Sequence, residues 1–195
     1  MTTIEADPYP WPWDGDLSPS RLALVIAGAQ EHWLERTIEP EKHLAVIESV
    51  AETLRDAGAQ VVWVRHGRMP ASRTMIPVTG SEEWQLATQP DAADLVVESA
   101  GTDGCYGGPL EATLRALGRD RVVMCGLGLE GPVHSTLRTL NDMGYECLTL
   151  TDACAPGEVA SGANALSTIT FSFGIFGAIA PSASLLDAFE TEAVR

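Results

Sequence analysis

The chain alternates between two hydrophobic periods. Residues 22–27 (LALVIA) are continuously apolar, as expected for a strand covered on both faces. Pro40 then opens a segment in which Leu44, Ile47, Val50, Ala51 and Leu54 recur at helical spacing, stopped by Gly58. The alternation repeats. Further strands are predicted at residues 60–64 (QVVWV), 94–98 (DLVVE), 121–126 (RVVMCG) and 146–151 (ECLTLT), with a last one holding Ile175 and Phe176. Helices are predicted over 109–117, over 132–143 with Gly144 as the stop, and from Val159 onward. Residues 67–90, which carry Pro, Ser and Thr, form a long excursion with a short helix near Trp84.

Alternation of this kind predicts a doubly wound, Rossmann-like α/β fold. Its mostly parallel sheet has about six strands, with helices on both faces and right-handed crossovers. Residues 1–20 read as an N-terminal Pro/Trp arm and 21–195 as one domain. Ligands in such sheets bind beyond the carboxyl ends of the strands, so the residues after Ala27, Val64, Glu98 and Gly126 are the ones to inspect.

Composition narrows the classes. At 195 residues and 45% apolar content the chain suits a single globular domain with a full core. The longest apolar stretch, residues 169–180, is too short for a bilayer. The acidic opening MTTIEADPYPWPWDGD lacks the basic flank and apolar core of a signal peptide, so a cytoplasmic protein is expected. A net charge of −15 disfavours nucleic acid as a partner. The four cysteines have no CxxC spacing and read as free thiols. The four histidines form no HxH or HxxxH pair, so neither a metal nor a cofactor is implied.

Familiar chemistries fit poorly. The turn AGAQ lacks the GxGxxG pattern, and GLGLEG has that spacing but follows the fourth strand; both read as tight strand-to-helix turns. Cys105, Cys125, His66 and His134 lie near strand ends, yet no nucleophile elbow surrounds them. Cys125 reads as a core residue and Cys105 as a loop thiol. Trp11 and Trp13 sit on a Pro-locked arm, which suits an anchor on the domain or on a neighbouring subunit.

Four segments carry a family likeness: DPYPWPWDGDLSPSRLALVI, VVMCGLGLEGPVHSTLRTLNDMG, GYECLTLTDACA and FGIFGAIAPSASLLDAF. In this order they resemble the isochorismatase-like superfamily of cysteine hydrolases. The arm is most similar to that of the biuret hydrolase-type amidohydrolases. The resemblance implies hydrolysis of small amides or ureido compounds by an Asp, Lys, Cys triad, and assembly into dimers or tetramers. Placed on this chain, the Asp position falls at Gly28, the Lys position at Ser99 and the Cys position at Pro132.

Such a cysteine must be a thiolate, activated by an acidic partner and a cation at a helix N-terminus. Its own N–H helps to hold the oxyanion, and one such donor contributes about 3–4 kcal/mol to the transition state. Proline lacks the thiol and the N–H together, yet is favourable in a first helical turn. The only lysine, Lys42, lies in the first long helix and not at a strand end. Isochorismatases dispense with the Cys but keep the Asp, which is absent here. Amide hydrolysis is therefore not expected.

Three roles stay open. The chain is a pseudo-hydrolase forming homo-oligomers or hetero-oligomers with an intact relative; or it binds a small molecule in a roomier, more neutral pocket. Otherwise it is an enzyme repurposed for cyclisation, elimination or isomerisation without covalent catalysis. Candidate acids and bases for that chemistry are Asp103, Glu130 and His134, with Gln30, Ser99, Cys105, Tyr106, Leu129 and Glu130 as ligand-binding candidates. For Glu130, simply complementing the helix dipole is the favoured reading. Only about ten residues separate Gln30 from the first long helix, a short lid by the standard of the resemblance.

Overall fold

The computed structural model describes residues 3–193. Six strands form one parallel sheet: β1 (Leu22–Ala27), β2 (Gln60–His66), β3 (Leu95–Ser99), β4 (Arg121–Leu127), β5 (Glu146–Ala155) and β6 (Ala178–Ala180). Their order is β3-β2-β1-β4-β5-β6. Every residue of β1 and β4 is buried, which is why neither strand alternates in sequence. The helices are α1 (Glu31–Leu34), α2 (Pro40–Asp56), α3 (Leu110–Ala116), α4 (His134–Asp142), α5 (Val159–Gly174) and α6 (Ser182–Ala193).

The chain runs outward from β1 to β3, returns to β4 on the other side of β1, and runs outward again to β6. Right-handed crossovers then put α2 on one face and α3, α4 and α5 on the other. Helix α6 packs beside α2. The carboxyl ends of β1 and β4 flank the point where the winding reverses, the position at which such sheets form a ligand crevice.

Helix α2 buries Ile47, Val50, Ala51 and Leu54, the stripe read from its spacing. A side-chain staple locks it to the sheet edge. Asp94 accepts from Arg55 Nε at 2.8 Å and Nη2 at 2.9 Å, and from Trp63 Nε1 at 2.8 Å.

Several boundaries differ from the sequence expectation. β2, β3 and β5 run one to four residues further, to His66, Ser99 and Ala155. The last strand holds Ala178–Ala180, not Ile175 and Phe176. Helix α5 is broken at its end, where Ser172 (φ 54°) and Phe173 (φ 66°) are left-handed, so Ile175 and Phe176 fall in the turn that follows. The helix expected over 132–143 opens with a π turn, Leu129–Val133, before α4.

The N-terminal arm covers the β6 edge, with antiparallel bridges from Ile4 to Trp11 and from Asp7 to Ile179. Trp11 is wholly buried, as an anchor on the domain requires. The Trp13 N–H donates to the Glu146 carboxylate, and Asp14 pairs with Arg21 and Arg121. The outermost residues of the arm and of the domain, 1–2 and 194–195, lie outside the described residues. Among the described residues no helix is long and apolar enough to cross a membrane.

Candidate active site

β1 ends in a turn that only glycine enters readily. Gly28 has φ +68°, and a Cβ there would stand 2.6 Å from Leu127 O and 3.1 Å from both Cβ and Cγ of Pro132. The ends of β1 and β4 thus lie close together, and a Cβ on Gly28 would meet the Pro132 ring. Gly126, with φ +146°, brings the β4 backbone so close to Ala27 that a Cβ would overlap its carbonyl oxygen. Trp33 adds a cover: its indole lies 3.0 Å from where a Gly128 Cβ would be.

Pro132 sits inside the π turn, a distortion common at functional sites. It offers no N–H, and its carbonyl accepts from Thr136 Oγ1 at 2.6 Å. Two residues on, His134 opens α4 and stacks edge-on against Phe176. Burial, helped by nearby Arg138, lowers its pKa.

Ser99 closes β3 and meets His66, which closes β2. Ser99 Oγ donates to Gly101 O at 2.9 Å and lies 3.2 Å from His66 Nδ1, which is 3.1 Å from the same carbonyl. A carbonyl only accepts, so Nδ1 carries the imidazole proton. His66 Nε2 is buried with no partner in the protein. Complete burial pushes the His66 pKa down to about 4, against the opposing pull of the Gly101 and Thr102 backbone, so the ring is neutral at pH 7.

Gln30 ties these ends together. Its Oε1 accepts from His66 N at 2.8 Å, while Nε2 donates to His66 O at 3.1 Å and Trp84 O at 2.8 Å. The amide latches β1 to β2 and to the short 3₁₀ turn Glu82–Trp84.

The isochorismatase domain model matches residues 22–181. The chain belongs to the isochorismatase family. Over 169 residues it is 25% identical to the uncharacterized isochorismatase family protein YecD of Escherichia coli O157:H7, covering 79% of this chain and 90% of that one. Over 88 residues, 44% of this chain, it is 34% identical to the ureidoacrylate amidohydrolase RutB of Methylobacterium radiotolerans; the match spans about a third of that protein's length. A cysteine hydrolase from Pseudomonas syringae pv. phaseolicola superposes with a TM-score of 0.81 at 19% identity, covering 98% of each chain. An N-carbamoylsarcosine amidase from Thermoplasma acidophilum gives 0.70 at 25% identity, over 83% of this chain and 96% of that one.

In this isochorismatase-family chain, Pro132 crowds the place where a side chain on Gly28 would begin, and Ser99 stands with His66 at the ends of β3 and β2. The other candidates are held by structural bonds. Asp103 accepts from Cys105 N at 2.9 Å and from Thr139 Oγ1 at 2.8 Å, which pins the glycine-rich turn to α4. The Glu130 carboxylate receives the Gly157 N–H at 3.0 and 3.2 Å. Leu129 is buried in the core and Gln30 is wholly enclosed. Tyr106 is exposed, its ring lying over Gly101. Burial, then the charges of Asp103 and Glu111, push the Cys105 thiol up to about 12, so it is no thiolate at neutral pH. Cys125 is likewise raised by burial.

Two site residues escaped the sequence reading. The signal for His66 is a polar residue closing an apolar run at a strand's carboxyl end. Trp33 carried no signal, since its cover over Gly128 is a contact between distant segments. Among the described residues no three His, Cys, Asp or Glu side chains stand together as metal ligands.

Proposed function

We propose that this chain is a non-hydrolysing, biuret hydrolase-type member of the isochorismatase family, retained as a subunit of a homo- or hetero-oligomer. The observation that carries the reading is the close approach of Gly28 and Pro132. Where the family places an acid and a thiol, the chain has a left-handed glycine packed against a proline ring. Ser99, at the lysine position, is an alcohol bound to Gly101 O. Neither a nucleophile nor the oxyanion N–H of that position remains.

The surface supports the subunit role. Tyr9, Trp13 and Phe173 form a mutual aromatic cluster with ring centroids 5.2 to 6.4 Å apart. Trp13 and Phe173 are 69% and 67% exposed, and Phe171 and Ile175, each two residues from Phe173 in sequence, are exposed as well. Exposed aromatic patches of this kind mark association surfaces. The left-handed Phe173 is a strained conformation for a bulky residue, and it is spent on presenting a ring to solvent. Co-expression with a triad-bearing relative, followed by native mass spectrometry, tests the role. The reading expects assemblies containing this chain; a strict monomer under every condition contradicts it.

Repurposed chemistry is the second reading, and His66 is what favours it. A neutral, buried imidazole with a free Nε2 at a strand's carboxyl end is an acceptor in waiting. Asp103 and Glu130 serve that reading poorly, because both carboxylates are engaged in tying loops together.

A further inference from the structure

The end of α5 runs against its own sequence pattern. Gly162, Ala165 and Ile169 form the buried stripe of that helix. The same spacing, continued, brings Ser172 or Phe173 and then Phe176 to the core side. The chain leaves the helix instead. Phe171 turns extended (ψ 144°), and Ser172, Phe173 and Gly174 are all left-handed, with φ of 54°, 66° and 89°. Residues with a Cβ visit that region singly when they visit it at all, yet here two do so in succession. The result is a phenylalanine ring held in solvent.

The N-terminal arm lies against this turn. A Cβ on Gly174 would stand 2.7 Å from Tyr9 Cε1 and 3.3 Å from Pro8 Cγ, so the arm packs directly on that glycine. The Tyr9 and Trp13 rings lie 6.3 and 6.4 Å from that of Phe173. The arm in turn is tied to the sheet edge, where Asp7 and Ile179 exchange two backbone hydrogen bonds of 2.9 and 2.8 Å.

Both ends of the turn are fixed. Ile169 is wholly buried, and its carbonyl accepts from Phe176 N at 3.2 Å. Past the turn, a Cβ on Gly177 would stand 2.3 Å from Cys147 O, which sets the chain close against β5 as it enters β6. The segment between these points therefore has two ways to run: the helix that its spacing favours, and the left-handed turn that the arm covers.

We infer that the arm is a strap that switches the end of α5. Docked, it holds residues 172–174 left-handed and Phe173 outward; lifted, it lets α5 continue right-handed and carry Phe173 back over Ile169. Gly174, which has no Cβ, absorbs the backbone change, and Gly177 keeps β6 in place. The arm and the turn are distant in sequence but form one two-state element. Tyr9, Trp13 and Phe173 share a surface only while the arm is docked, so the strap also governs the aromatic patch. The coupling belongs to the isolated chain and stands even if that patch meets no partner.

NMR and amide hydrogen exchange on the full chain test the strap from both sides. Tyr9→Ala removes the packing on Gly174. Phe173 should then lose the strong intraresidue cross-peak between N–H and Hα that marks a positive φ. The Ile175 and Phe176 amides should exchange about tenfold faster, with the β1 amides unchanged. Ser172→Gly, at an exposed position, eases the left-handed turn and disfavours the helix. Coupling is reciprocal, so the Asp7 and Ile179 amides should then exchange about fivefold more slowly. A Tyr9→Ala chain in which Phe173 keeps its strong cross-peak overturns the inference, even where exchange quickens. So does Ser172→Gly with Asp7 and Ile179 exchanging as in the unaltered chain, and that result decides alone if Tyr9→Ala fails to fold.

Discussion

At Gly28 two constraints act on one residue. The left-handed φ excludes side chains on backbone grounds, and Leu127 O and Pro132 exclude a Cβ on packing grounds. Gly28→Ala should therefore destabilise the fold by about 2–3 kcal/mol, measured by urea denaturation. His66 supplies a pH dependence. Its folded pKa, about 4, lies below the ordinary histidine value, so the unfolded chain binds the proton more readily. Stability from this group is full above pH 6.5 and falls as the pH drops toward 4, by about 3 kcal/mol at most. His66→Gln should flatten the stability profile across that window. A profile unchanged by the substitution would mean that another group carries it.

Among the elements, the staple at Asp94 joins α2, β2 and the start of β3 through a carboxylate that is 1% exposed. Asp94→Ala leaves a guanidinium and an indole N–H unpaired, and should cost about 3 kcal/mol in thermal or urea unfolding. A loss below about 0.5 kcal/mol would show that the pair contributes no more than a surface ion pair. Element identities were legible because β1 and β4, covered on both faces, are forced into uninterrupted apolar runs. The end of the chain was not. FGIFGAIA is apolar throughout, and the break that ends α5 comes from left-handed backbone at Ser172 and Phe173, and the bulky Phe173 carries no turn signal. A three-residue strand such as β6 has too few positions to show a period.

At the scale of the whole molecule, the family resemblance supplied the positions Gly28, Ser99 and Pro132, and the fold sets them after β1, at the end of β3 and in the π turn after β4. Their surroundings could not be read that way. The Gln30 latch, the His66–Ser99 contact and the cover by Trp33 join segments tens of residues apart, and no local pattern encodes them. The aromatic patch belongs to this scale as well. Replacing Trp13 and Phe173 together by Ser should leave the thermal midpoint of the isolated chain nearly unchanged and shift native mass spectra toward monomer, since both side chains are exposed.

We propose that Gly28 and Pro132, standing where an acid and a thiol would be, leave no amide-cleaving centre. Ammonia release from a panel of small amides and ureido acids tests it most directly, with a triad-bearing relative as the positive control. The account predicts no release above the enzyme-free blank for the native chain. Turnover that persists through purification and disappears in Ser99→Ala or His66→Ala would contradict it.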